Sequence, residues 1–166
     1  MALSRAIGDA DFKNDYQYLL EDQVVSPMPD VYKYQLKGDE EFLVIACDGV
    51  WDYMTNDDMI KTIRYLKQCH KDITSQQICE LVMNICCFKG SKDNISMILI
   101  EFDAAKNVKY DEEKAKKDKE LGQQIVDKAE EMMKAKPDLE AFKVIMEDVR
   151  EFEIPDCPKF LTPGYK

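Results

Sequence analysis

Residues 42–47 run Phe-Leu-Val-Ile-Ala-Cys without a polar break, the pattern of a strand covered on both faces. Upstream, Val24-Val25-Ser26-Pro27-Met28-Pro29 is held extended by its prolines. Residues 30–36 then alternate Tyr32, Tyr34 and Leu36 against Val31, Lys33 and Gln35, which predicts a half-exposed strand. Lys37-Gly38-Asp39 reads as a turn between the two runs, so they are expected to pair as antiparallel neighbours. Residues 1–23 keep no sustained period and predict loop with some strand.

Downstream the period lengthens. Thr55-Asn56-Asp57-Asp58 has the hydroxyl-x-x-acid pattern of a helix start, followed by Met59, Ile60, Ile63 and Leu66 on one side. Thr74-Ser75-Gln76-Gln77 opens a second helix whose Ile78, Leu81, Val82 and Ile85 recur at helical spacing. Gly90 stops it, and after Ser91-Lys92-Asp93-Asn94 residues 95–102 read as another strand. The expected order is strand, strand, helix, helix, strand, with both helices covering a sheet. From about Asn107 the chain becomes dense in charge, yet Leu121, Ile125, Ala129 and Met132 keep a helical stripe up to Pro137. Residues 138–152 repeat the pattern with Leu139, Phe142, Ile145, Met146 and Val149, before a proline-containing tail from Ile154. Residues 1–104 and 105–166 are therefore expected as a main domain portion and a helical extension, whose charged runs are solvated faces or a partner-docking surface.

Composition narrows the function. With 166 residues, 45% of them hydrophobic, the chain has enough apolar material for a folded domain. A net charge of -10 argues against a nucleic-acid backbone or an anionic membrane as main partner. No apolar stretch approaches the roughly 20 residues of a membrane span, and no signal-peptide core is visible, so a cytoplasmic or nuclear protein is expected. The six cysteines, at 47, 69, 79, 86, 87 and 157, show no zinc spacing. Cys47, Cys79 and Cys86 read as reduced core residues, and His70, the only histidine, as a solvated helix end.

The candidate chemistry lies in carboxylates. Asp48-Gly49 and Asp93-Asn94 are, taken singly, turn dipeptides. Each pair, however, follows or precedes a predicted strand, and Asp52 is close enough to share a rim with Asp48. Carboxylates gathered at one rim repel one another unless cations sit between them. An all-oxygen donor set without histidine suits hard ions such as Mg2+ or Mn2+. Metal-assisted phosphoester hydrolysis follows as the functional hypothesis.

Three stretches carry a resemblance beyond this chemistry. Residues 2–9 (ALSRAIGD), 42–52 (FLVIACDGVWD) and 90–96 (GSKDNIS) resemble, in order and spacing, three successive motifs of the type 2C (PPM) metal-dependent serine/threonine protein phosphatases. The acidic helical tail is similar to the extra helices of the animal alpha-type members. The resemblance implies an α+β fold in which this chain forms part of a two-sheet antiparallel β-sandwich flanked by helices, plus a C-terminal helical appendage. It implies a two-metal centre of Mg2+ or Mn2+ between the sheets, a water nucleophile and phosphoprotein substrates. Asp48 matches a direct ligand, Asp93 a ligand of the same centre, and Asp52 the position of a third, weakly held ion. Gly49 and Asn94 are supporting positions, Asn94 ordering the Asp93 loop through local side-chain hydrogen bonds. Trp51 is expected to pack beside the site, while Ser4, Arg5, Gly8 and Asp9 mark the family without a chemical role.

The resemblance covers residues 1–102, and the family's Asp-Gly-His-Gly-Gly element, early acidic residues and phosphate-binding arginine have no counterpart here. The chain is therefore expected to be the C-terminal portion of a longer phosphatase, inactive alone and partly folded or aggregating in isolation. The alternatives are a truncated non-catalytic relative, serving as a binding subunit with a protein partner over its exposed sheet edges, and a fragment completed by a separate N-terminal chain.

Overall fold

A computed structural model describes residues 3–135 and Pro158. The helix expected over 138–152 and most of the proline-containing tail lie outside the described residues. Contacts divide the chain into two compact units, Met1–Leu36 and Lys37–Lys166.

The first unit is held by backbone pairing rather than by a ladder. Arg5 and Ser26 form an isolated parallel bridge, with the Ala6 amide donating to Ser26 O (3.1 Å) and the Ser26 amide to Ser4 O (3.0 Å). Val25 and Ser26 are buried at this bridge. Residues 31–36 are irregular, with Tyr32, Tyr34 and Leu36 exposed, so the strand expected there does not form. Alternation supplies one apolar side but no hydrogen-bonding partner, and without a neighbour a strand has no reason to persist.

In the second unit the partner of the apolar run is the last strand. β1 (Phe42–Ala46) pairs antiparallel with β2 (Met97–Glu101), with Phe42 opposite Glu101, Val44 opposite Leu99 and Ala46 opposite Met97. Phe42, Val44, Ala46, Met97 and Leu99 face a core of Val50, Met54, Met59, Ile63, Leu66, Ile78, Val82 and Cys86. Leu43, Ile45, Ile98 and Ile100 face outward and are about half exposed, so among the described residues the run read as fully buried is covered on one side only. The fold is α+β, and its two-stranded sheet is the only one among the described residues.

Between the strands come α1 (Asp48–Trp51), α2 (Asn56–Cys69) and α3 (Ser75–Lys89). Both long helices begin where the hydroxyl patterns predict. Thr55 accepts from the Asp58 amide (3.2 Å) and donates to its carboxylate (2.7 Å), while Thr74 and Gln77 form a complete capping box. Gly90 ends α3 at φ 108, a left-handed conformation that favours glycine. After β2, α4 (Glu112–Ala135) lies against α2, with Ala115 buried and Tyr65 donating to Asp118 (2.8 Å). His70 follows α2 as its C-terminal cap and is exposed, as expected of a solvated helix end, with its ring 3.6 Å from the Asp118 carboxylate.

The two ends of the ladder differ. At the Phe42/Glu101 end, Glu41 receives a two-pronged bond from Arg64 (2.7 and 2.9 Å). Glu101 there is ion-paired to Lys67 and accepts from Ser75 (2.7 Å). The Ala46/Met97 end carries the acidic turns.

Candidate metal centre

Cys47 leaves β1 in an extended conformation and Asp48 opens α1, so the chain turns directly off a packed strand. The Gly49 amide donates to Asp48 Oδ1 (3.1 Å), and the Asp52 amide to Asp48 O (2.9 Å). Asp48 sits at the start of this short helix and Asp52 at its end, both exposed. The second acidic loop leaves Gly90 and reaches β2 through Asp93 and Asn94, also exposed, with the Asn94 amide donating to Asp93 Oδ1 (2.7 Å).

Four contacts join these loops. The Cys47 amide donates to Ser96 O (3.2 Å) and the Ser96 amide to Cys47 Sγ (3.2 Å). The Cys47 thiol donates to Asn94 O (3.1 Å), and Ser91 Oγ donates to Gly49 O (2.9 Å). Gly49 permits the approach: a Cβ there would collide with the Asn94 carbonyl and press against the Ile95 side chain at 3.3 Å. Both supporting residues therefore sit at the joint, but Asn94 acts there through its backbone, where a side-chain role was expected. Hydrogen bonds from Ser96, side chain first and amide second, hold the Cys47 thiol below its ordinary range against burial and the Asp48 charge. Trp51 is partly buried against the core, its Nε1 donating to Ala46 O (2.9 Å), in keeping with a packing role.

The carboxylates suit a hard cation in kind, being oxygen donors on exposed, well-braced turns. In number they fall short of a closed shell: among the described residues no group of three or more His, Cys, Asp and Glu side chains stands close enough together to hold a metal ion. Nor does a basic side chain pair with Asp48, Asp52 or Asp93 among those residues.

Two residues at the joint, Lys89 and Ser91, have no role in the sequence analysis, and Cys47, expected in the core with Cys79 and Cys86, is half-buried at the joint, as Cys79 is half-buried on α3. Lys89 is buried, with Nζ donating to Tyr53 O (2.9 Å). Its signal was available, since it continues the buried stripe of Ile78, Val82 and Cys86, where a lysine is out of character. Ser91 and Cys47 carry no such mark, because their role depends on two loops meeting across the sheet.

An α+β unit with acidic turns at one end of an antiparallel ladder agrees with the family comparison. The Protein phosphatase 2C family model matches residues 1–95, and the chain belongs to that family. It is 37% identical over 133 residues to "Protein phosphatase 1B" of Mus musculus, covering 80% of this chain and 33% of that protein. To "Protein phosphatase 1A" of Mus musculus it is 34% identical over 163 residues, covering 95% of this chain and 41% of that protein. A Caenorhabditis elegans relative, "Protein phosphatase ppm-1.A", is 39% identical over 110 residues, or 65% of this chain and 23% of that one. The chain thus spans between 23% and 41% of the length of these relatives.

Proposed function

We propose that the chain is the C-terminal portion of a metal-dependent protein serine/threonine phosphatase, in which Asp48 and Asp93 give oxygen ligands to a Mg2+ or Mn2+ centre. Asp52 would help to hold a further, weaker ion. The observation that carries the reading is the joint between the two loops, which braces unpaired carboxylates on both sides of one sheet end. Exposed carboxylates left without a base on braced turns are suited to a cation. Bound ions would supply Lewis acidity and an activated water for phosphomonoester hydrolysis of phosphoproteins. The part of this chain is to hold the ligands still; the remaining donors lie outside its three acidic positions, so these 166 residues alone are expected to bind metal weakly and to be inactive.

A second reading, a non-catalytic binding subunit, is favoured by one observation. The outer sheet face of Leu43, Ile45, Ile98 and Ile100 is apolar and about half exposed, and among the described residues both strands are edges. The cytoplasmic or nuclear setting belongs to the same proposal and is supported by free thiols at all five described cysteines.

The deciding experiment captures the native polypeptide with an antibody to the C-terminal tail and assays Mn2+-dependent hydrolysis of a phosphothreonine peptide. Activity that disappears in the Asp48→Ala form is expected. A native polypeptide that is folded yet inactive would overturn the phosphatase reading in favour of the binding subunit.

A further inference from the structure

α4 is fastened to α2 along its first turns. The Asp111 amide donates to Gln68 O (2.8 Å), Lys114 Nζ to Gln68 Oε1 (2.7 Å) and the Tyr65 hydroxyl to Asp118 (2.8 Å), with Ala115 buried. Beside this junction lies a groove of about 490 Å³, lined by Tyr65 of α2 and by Lys114, Lys117, Leu121 and Gln124, which share one face of α4. Pro158, half-buried, lines the same groove. Past Gln124, α4 runs on for eleven residues to Ala135, roughly 16 Å at helical rise. Twenty-two residues separate Ala135 from Pro158, and across them the chain comes back to the earlier turns of the helix.

The groove offers an apolar strip and one unused cation. Tyr65 and Leu121 are half-buried, Lys114 is taken by Gln68 and Asp111, and Lys117 is exposed and forms no ion pair among the described residues. A free peptide would gain little from so small a set of contacts once the cost of its lost freedom is met. A segment of the same chain is tethered beside the groove at an effective concentration on the order of millimolar, so modest complementarity suffices. The sequence around Pro158 supplies it: Asp156 lies two residues before and Phe160 two after, each within about 7 Å of extended chain.

We propose that residues 156–161 are the occupant of this groove, a strap that fastens α4 to α2. Of these residues the structure describes Pro158 alone, and its place in the groove is the observation that carries the inference. Asp156 meets Lys117, and Phe160 covers Tyr65 and Leu121. Proline suits the crossing point, because its fixed backbone has less freedom to lose on docking. The strap extends the α2–α4 junction beyond Asp118 and is independent of the acidic turns at the sheet end.

The test couples carboxylates to amines in the full 166-residue chain with a zero-length carbodiimide and maps the linked peptides by mass. An amide between Lys117 and Asp156 of one chain is expected; it should vanish in Lys117→Gln, a change at an exposed position that leaves the fold intact. Hydrogen exchange reads the fastening itself. In Phe160→Ser the amides of residues 118–124 are expected to exchange about fivefold faster, the effect of losing one modest contact, with those of α3 unchanged. A synthetic peptide of residues 153–166 added to wild type should leave the Tyr65 and Leu121 signals in place, because the groove is filled. Tail links that fall only on other elements or only between two chains would overturn the inference. Wild-type exchange in Phe160→Ser would do the same, as would a peptide that binds the wild-type groove, which would show it open to a partner.

Discussion

The two ends of the β1–β2 ladder use the same residue class in opposite ways. At one end Glu41 and Glu101 each meet a base, Arg64 or Lys67, and Glu101 also accepts from Ser75. At the other, Asp48 and Asp93 each accept a backbone amide, and among the described residues no base pairs with them or with Asp52, while the Gly49 and Tyr53 carbonyls are met by Ser91 and Lys89. In the first case the carboxylate is the fastener. In the second the backbone is fastened and the carboxylate is left available, as the proposed ligand role requires.

The sharpest way to break this contrast is to pry open the acidic end. Gly49→Ala pushes a methyl into the Asn94 carbonyl, a backbone group that cannot swing aside. Overpacking of this kind costs typically about 1–3 kcal/mol and more where backbone must move. We expect the largest loss of the series, read as a lowered urea midpoint, together with chemical-shift changes confined to residues 47–54 and 90–96. A Gly49→Ala chain of wild-type stability would mean the two loops are not joined as described.

At the opposite end, Glu101→Gln should cost about 1–3 kcal/mol, because it strands a largely buried Lys67 and weakens the Ser75 contact. The same pair predicts a pH dependence. Partial burial pushes the Glu101 carboxyl up, but the bonds from Lys67 and Ser75 outweigh it and hold the group below its ordinary 4.5. The unfolded chain therefore binds the proton more readily, so the stability from this group is complete above 4.5 and is lost as the pH falls through the lower folded value. Unfolding midpoints measured from pH 6 downward should decline less steeply in Glu101→Gln than in wild type; parallel declines would remove Glu101 from the account.

How far the sequence shows this contrast depends on the range of the interactions. Helix starts at Thr55 and Thr74 and the stop at Gly90 are local, and they sit where the pattern puts them. Pairing is not local: periodicity proposed residues 30–36 as the neighbour of β1, and the structure supplies β2, about fifty residues away. The apolar run 42–47 signalled two faces to cover, and only one is covered within the described residues. Asp48 and Asp93 stood out as acids flanking strands, but nothing in either motif announces that Cys47 and Ser91 tie them together. Lys89 was legible in principle, as a charge on an apolar stripe.

The smallest expected effect is the most discriminating. Asp48→Asn and Asp93→Asn keep an oxygen in place of the one that accepts each neighbouring amide, at 3.1 and 2.7 Å, so the local bonds can persist. Each substitution removes a negative charge from a rim that holds three carboxylates and no paired base among the described residues. Stability in metal-free buffer should therefore change by no more than about 0.5 kcal/mol, the range of exposed substitutions away from special features, and any gain should shrink as salt screens the repulsion. Added Mn2+ should raise the wild-type midpoint and leave the variants where they were, because an ion that binds only the folded chain stabilises it in proportion to its affinity. A loss as large as that of Glu101→Gln, in the absence of metal, would make Asp48 and Asp93 structural fasteners like their counterparts at the other end, and the distinction between the two ends would collapse.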